Sequence, residues 1–78
     1  MTSMNTRTIA LKTIFDLDTF IKKANAVDGD VLVYRGKFVV DGKSVLGVMS
    51  LDLTDGFIVE YPSDAIEFEQ FLSKYEVY

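Results

Sequence analysis

The chain has 78 residues and contains no Cys, His or Trp. Without Cys and His it cannot form a disulfide, a thiolate nucleophile, an imidazole acid or base, or a His/Cys zinc site. A formal net charge of −4 also disfavours a nucleic-acid partner, because nucleic-acid binding depends on Lys and Arg neutralising phosphates. We therefore predict neither a cofactor nor a metal site.

The length of the chain predicts one small domain over residues 1–78. No stretch approaches the roughly 20 apolar residues that cross a bilayer. Residues 1–5 are polar and do not resemble the start of a hydrophobic signal segment. We expect a cytoplasmic protein that does not bind a membrane.

The first third of the chain predicts a strand followed by an amphipathic helix. Residues 6–12 alternate apolar and polar side chains, which is typical of a strand with one buried face. Apolar residues then recur at helical spacing, namely Leu17, Phe20, Ile21, Ala24 and Val27. We expect Asp16 or Asp18 to cap the start of this helix and Asp28-Gly29 to end it.

The middle of the chain predicts a β-hairpin and a short helix. Residues 30–35 and 38–40 are rich in β-branched and aromatic side chains, and Gly36 supplies a turn between them. Asp41-Gly42 then interrupts the pattern, and Ser44 stands just ahead of a short apolar run. We predict that Ser44 is the N-cap of a second helix.

The last third of the chain predicts a fourth strand and a third helix. Residues 57–61 are mostly apolar and follow a turn at 54–56, and Pro62 ends the strand. Asp64 and Glu67 have capping-box-like spacing at the start of the third helix. Its apolar stripe consists of Phe68, Phe71, Leu72 and Tyr75. This order of elements predicts an α+β fold with helices on one face of an antiparallel sheet.

Residues 42–51, Gly-Lys-Ser-Val-Leu-Gly-Val-Met-Ser-Leu, are similar to a segment of the HPr family. HPr proteins are the small phosphocarriers of the bacterial sugar phosphotransferase system. Residues 20–24, Phe-Ile-Lys-Lys-Ala, resemble the middle of that family's first helix at the same offset, so the resemblance covers nearly the whole chain. It implies an open-faced sandwich, in which three helices cover one face of a four-stranded antiparallel sheet in the order 1-4-2-3.

The sequence departs from the HPr pattern where that family carries its phosphoryl group. HPr proteins use the histidine of a His-x-Arg-Pro segment at the start of the first helix. In the ungapped alignment Thr13 stands at the histidine position, Phe15 at the arginine position and Asp16 at the proline position. We therefore expect no phosphocarrier activity and no enzymatic activity. Thr13 is expected to be a loop residue, and Phe15 an apolar staple against the first helix.

Ser44 keeps the HPr pattern. In many HPr proteins the matching serine is phosphorylated by a dedicated kinase, and the product binds a transcription regulator in carbon catabolite regulation. Catabolite-repression HPr homologues have lost the histidine and kept this serine. The resemblance implies that Ser44 is a regulatory phosphorylation site, with a serine kinase and a transcription regulator as partners. A simple helix cap explains the same serine, and the sequence leaves both interpretations open.

The predicted second helix carries too many apolar residues to bury them all. Five of its seven positions are apolar, so we expect part of the set, with Val45, Leu46 and Met49, to be exposed and to bind a partner protein. The leading hypothesis is an HPr-like regulatory or adaptor protein. Two alternatives are a phosphotransfer component that uses Thr13 and a structural or oligomerisation module without phosphate chemistry. The oligomeric state stays open.

Overall fold

Within residues 3–77, four β-strands and three α-helices follow one another in the predicted order. The strands are β1 Met4–Ile9, β2 Leu32–Arg35, β3 Phe38–Asp41 and β4 Phe57–Pro62. The helices are α1 Ile14–Asn25, α2 Val45–Met49 and α3 Ile66–Ser73. The structure, a computed structural model, describes residues 3–77. Within that range no helix is both long enough and apolar enough to cross a membrane.

The strands form one antiparallel sheet in the order β1-β4-β2-β3. β4 lies between β1 and β2, and its first residue, Phe57, pairs with Ile9 at the end of β1. β2 and β3 form the predicted hairpin, whose last pair is Arg35 with Phe38. Gly36 adopts the φ of 59° that a two-residue hairpin turn requires at its first central position. The predicted fold class and strand order are confirmed.

The three helices cover one face of the sheet, and the core lies between the two layers. Alternate strand residues point into it, so that Ile9, Val33 and Val59 are fully buried. The ring of Phe20 in α1 lies 5.9 Å from the ring of Phe57 in β4, in an edge-to-face arrangement. Among residues 3–77 no polar or charged residue is buried in this core. Apolar packing therefore supplies most of the stability.

The boundaries of β1 and α1 differ from the prediction. β1 ends at Ile9 rather than at residue 12, and α1 begins at Ile14. The predicted cap at Asp16 or Asp18 is wrong: Thr13 is the N-cap, because its Oγ1 accepts a hydrogen bond from the N–H of Asp16 at 3.0 Å. At its other end α1 stops at Asn25, so the chain leaves the helix three residues before the predicted Asp28-Gly29 turn.

The predicted cap of α3 is also wrong. The N-cap is Ala65, which makes no side-chain capping bond, rather than Asp64. A tight turn takes the place of a side-chain cap, since the N–H of Ala65 donates to the carbonyl of Pro62 at 3.1 Å. Glu67 lies in the first turn of α3, where its negative charge is favoured by the helix dipole. The predicted burial of Phe68, Phe71 and Leu72 is confirmed.

Gly42 is expected to tolerate no side chain. It is buried directly after β3, and a Cβ built on it would lie 2.6 Å from Cγ1 of Val31 and 3.2 Å from the carbonyl oxygen of Val31. Gly42→Ala should therefore lower the free energy of unfolding by about 1–3 kcal/mol, as overpacked sites do. Urea denaturation measures the change. Gly36→Ala is a poor control because of its positive φ, whereas Gln70→Ala, at an exposed position of α3, should have little effect. An unchanged midpoint for Gly42→Ala would contradict the packing described here.

Candidate functional site

Thr13 caps α1 and is exposed. Its Oγ1 accepts the N–H of Asp16, so the hydroxyl has a structural role that the sequence did not predict. The carboxylate of Asp16 in turn accepts the hydroxyl of Tyr75 at 3.1 Å, and this bond raises the pKa of Tyr75. Thr13 thus lies beside an acidic side chain that is held in place by the C-terminal part of the chain.

A shallow groove of about 250 Å³ lies next to Thr13, and Asp52 contributes to its lining. The hydroxyl and the N–H of Thr54 donate to Oδ1 of Asp52 at 2.7 and 3.1 Å, and these bonds hold the pKa of Asp52 below its usual value. A carboxylate with a lowered pKa is a poor base. The sequence also lacks histidine, so the groove has no imidazole to activate the hydroxyl of Thr13.

Phe15 does not pack as predicted. Its side chain is 75% exposed, so the predicted staple against the first helix is wrong. The physical reason is the start of α1 at Ile14, which places Phe15 inside the helix. At 3.6 residues per turn Phe15 lies about 200° around the helix from Leu17, on the face turned away from the core. Ile14, the first residue of α1, is similarly exposed.

Ser44 is the N-cap of α2, as predicted. Its Oγ accepts the N–H of Gly47 at 3.1 Å, and its own N–H donates to the carbonyl of Asp41 at 3.0 Å. A Cβ on Gly47 would lie only 3.3 Å from that Oγ, so glycine suits the close approach. The adjacent Lys43 donates from Nζ to the carbonyl of Val27 at 2.8 Å. The hydroxyl of Ser44 is half-buried.

The remaining residues of α2 divide as expected between core and solvent. Val48 is fully buried, whereas Val45 and Met49 are more than half exposed and Leu46 is 86% exposed. The predicted exposure of Val45, Leu46 and Met49 is therefore confirmed, and their binding to a partner stays a prediction. No short helix of five residues can bury more than one side of itself against a sheet.

One exposed apolar residue of α1 and one of α2 meet at the groove beside Thr13. Ile14 of α1 and Met49 of α2 line the same groove beside Thr13. We call the exposed side chains of the two helices, Ile14, Phe15, Val45, Leu46 and Met49, the apolar surface. Sequence reasoning found its α2 half and missed its α1 half. The missed signal is Thr13-Ile14-Phe15-Asp16, whose Thr-x-x-Asp spacing is typical of a helix start and would have placed both apolar residues in an exposed first turn.

Comparison with known proteins identifies the fold. The sequence matches no model of a protein family and no curated protein. Among solved structures the chain is similar to the phosphocarrier protein HPr from Bacillus anthracis strain Ames, with a TM-score of 0.72 and 24% sequence identity. The similarity covers 95% of this chain and 99% of that protein. The chain has the HPr fold. At this identity the likeness to HPr shows the architecture, and function has to be argued from the residues themselves.

The capping role of Thr13 predicts a stability effect. Thr13→Ala removes the acceptor for the Asp16 N–H and should cost about 1 kcal/mol of unfolding free energy, whereas Thr13→Ser keeps the oxygen and should cost much less. For a chain of this size the alanine variant should melt roughly 4–8 °C lower. Thermal denaturation followed by circular dichroism checks this. Equal losses in the alanine and serine variants would show that the hydroxyl is not what stabilises the helix start.

Proposed function

We propose that the protein is a non-enzymatic regulatory or adaptor protein of the HPr type, which acts in the cytoplasm by binding other proteins through the apolar surface. The observation that carries the proposal is the exposure of five large apolar side chains on two neighbouring helices, with Leu46 at 86%. Large exposed apolar patches mark interaction sites in soluble proteins. Methionine, here Met49, suits a surface that adapts to its partner.

The surroundings of Thr13 argue against a phosphocarrier. A phosphocarrier hydroxyl needs a base within its own protein to activate it, and the sequence supplies no histidine for Thr13. A phosphoryl group there would be repelled by the charge of Asp16, and Phe15 supplies no cation two residues after Thr13. The adjacent Lys12 donates its Nζ to the carbonyl of Thr54 at 2.6 Å. An incubation with phosphoenolpyruvate and enzyme I of the phosphotransferase system should leave the mass of the chain unchanged. A stable phosphoryl label on Thr13 would overturn this part of the proposal.

Ser44 is the proposed regulatory residue. It directly precedes Val45, the first residue of the α2 half of the apolar surface. A phosphate on Ser44 would add about −1.5 to −2 charge at the border of that surface. Lys43 is engaged with Val27 and leaves the new charge without a cation from its own neighbour. Phosphorylation would therefore change which partners dock, favouring those with a basic group next to an apolar pocket.

A binding titration tests the docking proposal. The isotope-labelled chain is titrated with an unlabelled HPr kinase in the absence of ATP, and backbone amide shifts are recorded. We expect the largest changes at residues 14–15 and 44–49, because contact with a partner alters the environment of those amides. Changes confined to the open face of the sheet, or none at kinase concentrations that bind HPr, would count against the apolar surface as the docking site.

An intact-mass experiment tests the regulatory proposal separately. After incubation with ATP and an HPr kinase, the native chain should gain one phosphate, and Ser44→Ala should gain none. Ser50→Ala is the matched control, since Ser50 is an exposed serine at the other end of α2 and its loss should not prevent phosphorylation. No gain in mass on the native chain would leave Ser44 as a helix cap and the protein as an unregulated binding module.

A further inference from the structure

The outer edge of β3 is a row of main-chain groups without a strand partner. β3 is the last strand of the sheet, and within residues 3–77 nothing pairs with its outer side. The N–H of Gly42 donates across to the carbonyl of Val31 in the chain just before β2, at 2.7 Å. Since main-chain groups alternate in direction along a strand, those of Val39 and the N–H of Asp41 point outward from the sheet. Such an edge is a template for pairing.

The side chains along this edge are complementary to themselves. Lys37 and Asp41 carry opposite charges and stand two residues to either side of Val39. An antiparallel pair of two β3 edges, centred on Val39, places Val39 opposite Val39 and each Lys37 opposite Asp41 of the other copy. Opposite charges that face each other across an antiparallel pair are favourable, and like charges are unfavourable. Lys37 makes no salt bridge among the described residues, and one carboxylate oxygen of Asp41 accepts the N–H of Lys43.

The same register explains two exposed apolar side chains that lie outside the apolar surface. Val39 is 54% exposed and Phe38 is 65% exposed. In the pair centred on Val39 the two valines contact each other on the open face of the sheet. Phe38 lies opposite Val40 of the second copy on the helix-covered face, where Val40 is already half-buried below α2. Each apolar side chain of the edge thereby gains an apolar neighbour.

We propose that two copies of the chain associate through their β3 edges in an antiparallel, two-fold symmetric pair centred on Val39. The two four-stranded sheets then form one sheet of eight strands. Val39 of each copy donates its N–H to the carbonyl of Val39 in the other, and the N–H of Asp41 donates to the carbonyl of Lys37 in the other. The interface is isologous, as a two-fold dimer requires. With only four residues in each edge strand, association should be weak and visible at roughly millimolar chain concentration.

Charge reversal tests the register directly. Lys37→Glu places Glu opposite Asp41, and Asp41→Lys places Lys opposite Lys37, so each variant alone should associate roughly tenfold or more weakly than the native chain. A mixture of the two variants restores opposite charges at both positions of the pair and should associate as the native chain does. Sedimentation equilibrium at increasing concentration measures all three. The matched control is Lys74→Glu, which changes the charge equally at an exposed site on the end of α3 and should leave association intact.

Each outcome has a defined meaning. Asp41→Lys loses the acceptor of the Lys43 N–H, so its melting temperature is measured first to show that the turn has survived. Recovery of association in the mixture supports the β3 pair. A native chain that stays monomeric at millimolar concentration overturns it. So does a dimer that ignores both charge reversals and is abolished by Leu46→Asp, because that result assigns self-association to the apolar surface.

Discussion

Replacing Phe20 by alanine should remove a large part of the free energy of unfolding. Phe20 is fully buried, and its ring packs against Phe57 at 5.9 Å and Phe68 at 5.7 Å, joining α1 to β4 and α3. Leaving a cavity in place of this ring lowers the free energy of unfolding by about 3–5 kcal/mol. A domain of this length has a total stability of about 4–12 kcal/mol. The midpoint of urea denaturation, followed by circular dichroism, measures the loss.

Phe15→Ala is the control for this experiment. It removes the same ring from the same helix, at a position that is 75% exposed, and should change the stability by less than about 0.5 kcal/mol. Similar losses at the two positions would mean that Phe15 packs against the protein after all, and that α1 is rotated relative to the structure described here.

Leu46→Asp should separate docking from folding. Because Leu46 is 86% exposed, the melting temperature should stay within about 4 °C of the native value. A central apolar contact of an interface, once replaced by a charge, typically costs about 2 kcal/mol of binding, which is roughly a 30-fold rise in Kd. Isothermal titration calorimetry with an HPr kinase as the partner measures this rise. A large fall in melting temperature would instead place Leu46 in the core.

Ile66→Asp is the matched control for Leu46→Asp. Ile66 is also an exposed aliphatic side chain on a helix, and it lines a different groove, between α1 and the start of α3. The substitution introduces the same charge away from the apolar surface, so the affinity for the kinase should be unchanged. If both variants lose affinity equally, the effect comes from net charge rather than from contact at Leu46.

The sequence predicts the order of elements well because its turn residues are distinctive. Gly36 has a positive φ, and Gly42 is buried where a side chain would clash, so both mark the boundaries of the β2–β3 hairpin. The sequence also predicts that Ser44 is a cap, since it immediately precedes an apolar run. The strand order follows from the resemblance to HPr. The residues of β4 alone do not predict that it lies between β1 and β2.

The starts of the helices are harder to predict, because several side-chain oxygens compete to accept the free N–H groups of the first turn. Asp16 and Asp18 are residue types that often cap helices. Here Thr13 accepts the N–H of Asp16, so α1 begins about one turn earlier than either aspartate would allow. At α3, the turn from Pro62 to Ala65 satisfies the main chain without a side-chain cap. The error at α1 also caused the error at Phe15, whose exposure depends on being inside the helix.

The candidate site was only partly accessible from the sequence. The absence of histidine is evident from the sequence alone. The neighbourhood of Asp52 and Thr54, whose hydrogen bonds lower the pKa of the Asp52 carboxyl, depends on residues about 40 positions along the chain from Thr13 that the fold brings to one groove. The spacing of apolar residues cannot predict contacts between distant residues, because it describes each helix or strand separately.

The central position of β4 governs how the chain can fold during synthesis. β1 has β4 as its strand partner, and their pairs run from Ile9 with Phe57 to Met4 with Pro62, so every contact between them spans most of the chain. The β2–β3 hairpin can form early, but β1 cannot pair with β4 until the residues from Phe57 onward have been synthesised. Sheet formation is thereby a late, non-local step with a high loop-closure entropy. A chain truncated before Phe57 would leave β1 without its strand and the core open to water.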